Sequence, residues 1–258
     1  MCPEHDEEIG VTDEPAHDYN GLVVEWYDRL LVSEQNDIAY YSERTAPVDG
    51  PILELACGTG RILLPIRRAG QDIDGLDISG EMLAICHDKL TREGLSANLH
   101  EQDCADFDTG RRYDMIFIAG GSFQLIADLD QVRSSLARVR MHLNPGGVFI
   151  LDTCRFDLES SGAWQDGRTA RDGREEFRCR HLTQTDTRNQ VRTLTSEYTL
   201  YVDGNLARTE QHVMRLRWYE GDQLPKELRA AGFSRVEQQH ETIINTHDGT
   251  MVYSAWVE

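Results

Sequence analysis

The stretch PILELACGTGR, residues 51–61, decides the fold. Its first six residues form a short apolar run, which reads as a buried strand. Cys57, Gly58, Thr59 and Gly60 then make a tight turn, and an amphipathic stretch opens at Arg61. The glycines let the backbone turn sharply and approach a ligand without a Cβ in the way. The helix that follows offers unpaired N–H groups to a polar or anionic group. A strand, a glycine turn and a helix in this order serve many cofactors, so the turn alone names none. A dinucleotide fingerprint needs a third small residue three positions after Gly60, and Leu63 stands there.

Working outward, short apolar runs recur at DIDGLDI (72–78), ANLHEQ (97–102), YDMIFIA (113–119) and GVFILD (147–152). Helical spacing separates them near 61–69, 80–93 and 129–142. Strands alternating with helices predict parallel β-α-β units with right-handed crossovers. YDMIFIA and GVFILD are continuously apolar, as strands covered on both faces are. Upstream, Leu22, Val23, Trp26, Leu30, Leu31, Ile38 and Tyr41 predict two helices over 20–46.

The pattern changes at about residue 153. REEFRCRHL (174–182), VRTLTSEYTLYV (191–202) and ARTEQHVMRLRWY (207–219) are polar and alternate, so they predict an inserted antiparallel sheet. Asp203-Gly204 between the last two is a hairpin turn signal. Leu194, Tyr198, Leu200 and Val202 share one face of the middle strand. A helix at 223–231, closed by Gly232, and strands near 234–241 and 250–257 complete the chain.

Two acids lie where strands end. Asp77 closes GLDIS, placed to accept hydrogen bonds from paired hydroxyls such as those of a ribose. Asp103 in QDCADF follows the third strand, placed to accept from an exocyclic amine.

With these residues in view, the chain resembles the class I S-adenosylmethionine-dependent methyltransferases, of the Rossmann-like, small-molecule type. ELACGTGR matches their first motif, GLDIS with Glu81, Met82 and Leu83 the second, and QDCADF the third. YDMIFIAGGSF matches the fourth-strand segment, LNPGGVFILD the turn into the fifth strand, and ELRAAGFSRVE the return near the end. The resemblance covers about residues 20–258 and departs from the pattern at Ala56, where glycine is commonest. It implies an α/β fold: a seven-stranded sheet in the order 3-2-1-4-5-7-6, last strand antiparallel, with the antiparallel β insertion after strand 5. The expected organisation is an acidic arm over 1–18, a cofactor-binding core over 19–152 and 219–258, and a β lid over 153–218.

The resemblance also implies roles. Glu54 and the turn at Ala56, Gly58 and Gly60 shape a pocket for the methionine portion of S-adenosyl-L-methionine, and Arg61 pairs with its carboxylate. Asp77 holds the ribose, Ile78 and Met82 sandwich the adenine, and Asp103 and Cys104 read its edge. Ala119 lies near the donor methyl, and Tyr27 caps the cofactor. The product is S-adenosyl-L-homocysteine.

For the acceptor, the segment after strand four reads Ala119-Gly-Gly-Ser-Phe123, not the Asn/Asp-Pro-Pro-Tyr of methyltransferases of DNA amino groups and of planar amides. Candidate acceptor residues are Tyr19, Ser122, Phe123, Asp152, His181, Tyr198, His212, Trp218 and Tyr219. No residue is assigned as a base. Methyl transfer from a sulfonium is an in-line displacement, and alignment alone supplies roughly 7–11 kcal/mol in well-oriented reactions. The expected activity is transfer to a nitrogen or oxygen of a small molecule. A non-catalytic module that binds the donor or its product, and a nicotinamide-dependent oxidoreductase, are the alternatives.

Composition bounds the partners. The net charge is −19, and residues 1–50 hold 13 acids against 2 arginines. Such a chain repels nucleic acid on average. The six cysteines form no CxxC pair and the nine histidines no HxH or HExxH pattern, so neither a metal site nor a disulfide framework is expected. No apolar run reaches the roughly 20 residues of a membrane span. The acidic N-terminus lacks a signal-peptide core, so a cytoplasmic location is expected.

Overall fold

In a computed structural model, the PILELA run forms strand β1 (Ile52–Leu55), buried at all four positions. The structure describes residues 19–30, 36–156, 158–241 and 250–258, so the arm expected over 1–18 lies outside the described residues. β1 lies in the interior of a seven-stranded sheet, next to its central strand. It pairs in parallel with β2 (Ile73–Asp77) on one side and β4 (Tyr113–Ile118) on the other. β3 (Leu99–Glu101) extends the sheet beyond β2, and β5 (Leu143–Thr153) extends it beyond β4. The last strand, β11 (Thr250–Trp256), runs antiparallel to β5, and β10 (Arg235–Glu241) closes the edge. Without the inserted strands this is the order 3-2-1-4-5-7-6 that the resemblance implies.

Helices cover both faces, as the continuous burial of β1, β2 and β4 requires. α3 (Leu63–Arg68) and α4 (Gly80–Arg92) pack with α2 (Asn36–Thr45) on one side. α5 (Leu129–His142) and α6 (Gln223–Ala230) pack on the other. The side chain of Ser79 caps α4 by accepting from Met82 N, and that of Asp128 caps α5 by accepting from Asp130 N and Gln131 N. No helix among the described residues is long and apolar enough to cross a membrane.

The second sheet has four antiparallel strands rather than the three legible in the sequence. β6 (Gln165–Asp172) precedes β7 (Glu175–Asp186), β8 (Val191–Val202) and β9 (Asn205–Arg217), and the sheet order follows the chain. β6 has no apolar alternation, because it is an exposed edge strand whose one partly buried position is Ala170, opposite Phe177. Asp203 and Gly204 both take positive φ, 53° and 79°, as a two-residue hairpin with right-handed twist needs. The apolar face of this sheet packs on α1 (Leu22–Leu30). Trp26 stacks on Phe177 at 5.6 Å between ring centroids, and Phe177 stacks on Tyr198 at 5.6 Å.

Two local devices hold the C-terminal edge of the main sheet. At Gly60, φ is +78°, and Leu64 N donates to Gly60 O, opening the following helix. A Cβ there would stand 2.4 Å from Leu64 Cδ1 and 2.5 Å from Cys86 Sγ. At the end of β5, fully buried Asp152 accepts from Tyr41 Oη at 2.5 Å, Gly120 N at 3.0 Å and Gly121 N at 2.8 Å. It thereby fixes the turn that follows β4. Burial pushes its carboxyl up to about 6, against the opposing pull of those three hydrogen bonds.

Gly60→Ala should therefore lower stability by about 2–4 kcal/mol in urea unfolding, combining overpacking with a left-handed φ. For Asp152, a folded-state value raised above 3.8 means that the folded protein binds this proton more tightly. Its contribution is fully present below pH 3.8 and is lost as pH rises through about 6. The rise from 3.8 to about 6 corresponds to about 3 kcal/mol. The stability of the unaltered protein relative to Asp152→Asn should fall by about that amount between pH 4 and 7. A pH-independent difference would show that Asp152 does not titrate in this range.

Candidate active site

Strands β1, β2 and β4 end at one level, with Leu55 paired to Leu76 and to Ile118. The turns that leave them bound a half-open cleft whose lining includes Ala56, Gly58, Asp77 and Met82. Open α/β sheets bind ligands at this edge. Asp77, the last residue of β2, organises the floor. Its Oδ2 accepts from Gly58 N at 2.8 Å and its Oδ1 from Ser79 N at 2.9 Å. One carboxylate thus ties the glycine turn to the start of α4. Ala56 takes φ +52°, a left-handed conformation uncommon for a residue with a Cβ, which accounts for glycine being commonest at this position in the resemblance.

Eight of the residues assigned to the cofactor line this cleft: Tyr27, Ala56, Gly58, Asp77, Ile78, Met82, Asp103 and Cys104. Ile78 is 37% exposed, an apolar side chain on the cleft's lip, while Met82 is buried. Asp103 is held by a hydrogen bond from Ala105 N, 2.7 Å. Burial, with Asp77 and Asp103 nearby, pushes the Cys104 thiol up to about 12, so it remains neutral.

Four residues assigned to the cofactor do not line the cleft. Glu54 lies beneath the turn, 3% exposed, and its Oε2 meets no hydrogen-bond partner among the described residues. Burial holds its carboxyl well above the usual carboxylate range. Gly60 and Arg61 border a separate hollow with Asp28, Ile38 and Lys89. Arg61 makes a two-pronged ion pair with buried Asp37 of α2, at 2.6 and 2.5 Å. Ala119 is packed in the core just before the Gly120–Gly121 turn.

The candidate acceptor residues divide into four groups. Tyr19 and Ser122 line the cleft itself. Burial and the nearby Asp77 raise the Tyr19 phenol. Phe123 and Asp152 are fully buried, Phe123 against Phe149 and Tyr219, Asp152 in its clamp. His181 and His212 both stand opposite Ser196 on the inner face of the inserted sheet, with Tyr198 beside His212 at 5.3 Å between rings. Trp218 and Tyr219 line a further cavity beyond β5, with Phe156, Met251 and Tyr253.

Sequence reading missed Ile118, Leu125, Ile126 and Gln131, which complete the cleft. The short 3-10 turn Ser122–Leu125 brings Leu125 there. The signal was the apolar pair Leu125-Ile126, two residues beyond the Gly120-Gly121-Ser122 segment.

Comparison with known proteins agrees with this geometry. A family model described as "Methyltransferase domain" matches residues 52–147. A dTDP-3-amino-3,6-dideoxy-alpha-D-glucopyranose N,N-dimethyltransferase of Streptomyces fradiae is 30% identical over 149 residues, 55% of this chain. The chain spans 57% of that relative's length. An uncharacterized methyltransferase of Bacillus cytotoxicus is 31% identical over 155 residues, covering 55% of this chain and 71% of the relative. Among solved structures, S-adenosylmethionine-bound CalS10, an amino pentose methyltransferase from Micromonospora echinaspora, shares the fold. Its TM-score is 0.70 at 20% identity, covering 92% of this chain and 97% of the other. Strand order, the cleft at the ends of β1, β2 and β4, and these matches lead to one conclusion: the chain belongs to the class I S-adenosylmethionine-dependent methyltransferases.

Proposed function

We propose that the protein transfers a methyl group from S-adenosylmethionine to an amine of a small-molecule acceptor, with amino sugars as the first class to test. The observation that carries the reading is the cleft at Asp77, whose carboxylate is already oriented by Gly58 N and Ser79 N. Beneath the glycine turn, Glu54 Oε2 is buried with no partner among the described residues. Ionised when the donor binds, that carboxyl would attract an ammonium at the methionine end from beneath the turn. When bound, the donor supplies an activated methyl on a positively charged sulfur.

The chain's own residues would act by binding and alignment. Asp77 accepts hydrogen bonds from the ribose hydroxyls. Ile78 and Met82 hold the adenine between them, and Asp103 with Cys104 faces its edge. Tyr27 covers the cleft from α1. Arg61, paired with Asp37, supports the methionine pocket from behind rather than by reaching a carboxylate. Tyr19 and Ser122 stand at the cleft, and His181 and His212 face inward from the inserted sheet, so an acceptor would lie between these two groups. An amine that arrives neutral needs alignment and little else.

The choice of an amine is supported by the amino-sugar N,N-dimethyltransferase relative of Streptomyces fradiae. The small-molecule class is supported by the −19 net charge, which disfavours nucleic acid. Cys57, Cys86, Cys104, Cys154 and Cys179 are reduced thiols, as suits a reducing cytoplasm.

Calorimetry should show S-adenosylhomocysteine binding to the purified protein; no heat at millimolar ligand would overturn the reading. Asp77→Ala should weaken that binding by about 1.5–3 kcal/mol for each hydrogen bond it removes. Labelled S-adenosylmethionine offered with a panel of amino sugars, free and nucleotide-linked, should yield N-methylated product. Donor binding without turnover on any amine would point to a different acceptor class.

A further inference from the structure

The first turn of α1 is gripped from two sides. Gly21 N donates to Glu81 Oε2 at 2.9 Å, and the next amide, Leu22 N, donates to Glu210 Oε2 at 2.8 Å. Glu81 belongs to α4, whose Met82 lines the cleft, whereas Glu210 belongs to β9 of the inserted sheet. The first amides of a helix have no partner within it, so carboxylates are favoured there. Here two carboxylates from separate regions of the fold take consecutive amides.

Neighbouring contacts reinforce the grip. Tyr19 O accepts from Ser79 Oγ, at the cap of α4, and Tyr19 Oη points to Met214 Sδ on β9, 3.8 Å away. Tyr19 meets Tyr27 edge to face at 5.8 Å, and both line the cleft. Residue 21 must be small: its φ is +62°, and a Cβ would stand 2.5 Å from Glu210 Oε2. Glu210 is itself steadied by Arg208 and by His212, whose Nε2 is 3.6 Å from Oε2.

We propose that Glu210 is a positioning residue that couples the inserted sheet to the cofactor cleft. By holding Leu22 N it keeps α1 seated so that Tyr19 and Tyr27 cover the bound donor. Donor retention then depends on the inserted sheet, although no described residue of that sheet lines the cleft. This rests on the reading that the cleft holds the donor.

The test uses the full chain with S-adenosylhomocysteine as probe, measuring affinity, release rate and amide exchange over residues 19–30. Glu210→Ala should weaken binding about tenfold, mainly through faster release, with faster exchange at Leu22 and a melting temperature close to that of the unaltered protein. Glu210→Gln keeps an acceptor oxygen and should restore affinity to within about twofold. Gly21→Ala should reproduce the Glu210→Ala loss by displacing the carboxylate. Glu197→Ala removes a carboxylate of the same sheet that is paired with Arg180, and should change nothing. Unchanged release from Glu210→Ala, or a loss that Gln does not restore, overturns the proposal. If the unaltered protein does not bind the probe, the reading of the cleft fails; unchanged exchange at Leu22 in Glu210→Ala would separately overturn the tether.

Discussion

The carboxylate of Asp77 is the constraint around which the cleft is built. It sits where β2 ends, and its two oxygens take the amides of Gly58 and Ser79 from turns on either side. Strand ends leave backbone N–H groups without ladder partners, and a buried amide left unsatisfied costs about 1–3 kcal/mol. One acid satisfies two such groups. It also draws the glycine turn and the α4 terminus to a fixed separation, which sets the width of the cleft floor. The left-handed Ala56 beside it is held by this arrangement rather than by its own preference.

A second carboxylate does the same at the end of β5. Asp152 takes the Gly120 and Gly121 amides and the Tyr41 hydroxyl, binding the turn after β4 to both β5 and α2. Tyr41 in turn stacks on Phe117 of β4 at 4.7 Å. The two walls of the cleft are thus each pinned by a buried acid at a strand end. The acids differ in consequence: Asp152 is buried enough to be pushed up to about 6, whereas Asp77 borders the cleft where a ligand can meet it. Above these walls, α1 packs on the inserted sheet through the Trp26–Phe177–Tyr198 stack, so the cover of the cleft and the insertion form one apolar unit.

Much of this was legible in residues alone. The alternation of apolar runs with helical spacing gave the parallel core, and Asp203-Gly204 with its alternating flanks gave the last hairpin of the insertion. Eight of twelve cofactor assignments converge on one cleft because they rest on motif positions tied to strand ends, where topology leaves little freedom. Acceptor assignments scattered, with Phe123 and Asp152 in the core and Trp218 and Tyr219 at another cavity. Those residues have in common only their chemical type and their segment, and residue type does not say which face of a strand or turn looks inward. β6 escaped notice because an exposed edge strand carries no apolar period to read.

The sequence by itself determined the fold class, the strand order implied by its ordered motifs, and the edge of the sheet at which the cleft opens. These follow from local periodicity and from turns that only certain residues can make. Tertiary structure decided what the side chains do once they arrive. It set Arg61 against Asp37, placed Glu54 Oε2 in the interior beneath the turn, and brought Glu210 across 188 positions of chain to the amide of Leu22. Pairings of that kind depend on distances between elements remote in sequence. They are fixed only when the core packs and each buried charge and amide must find a partner.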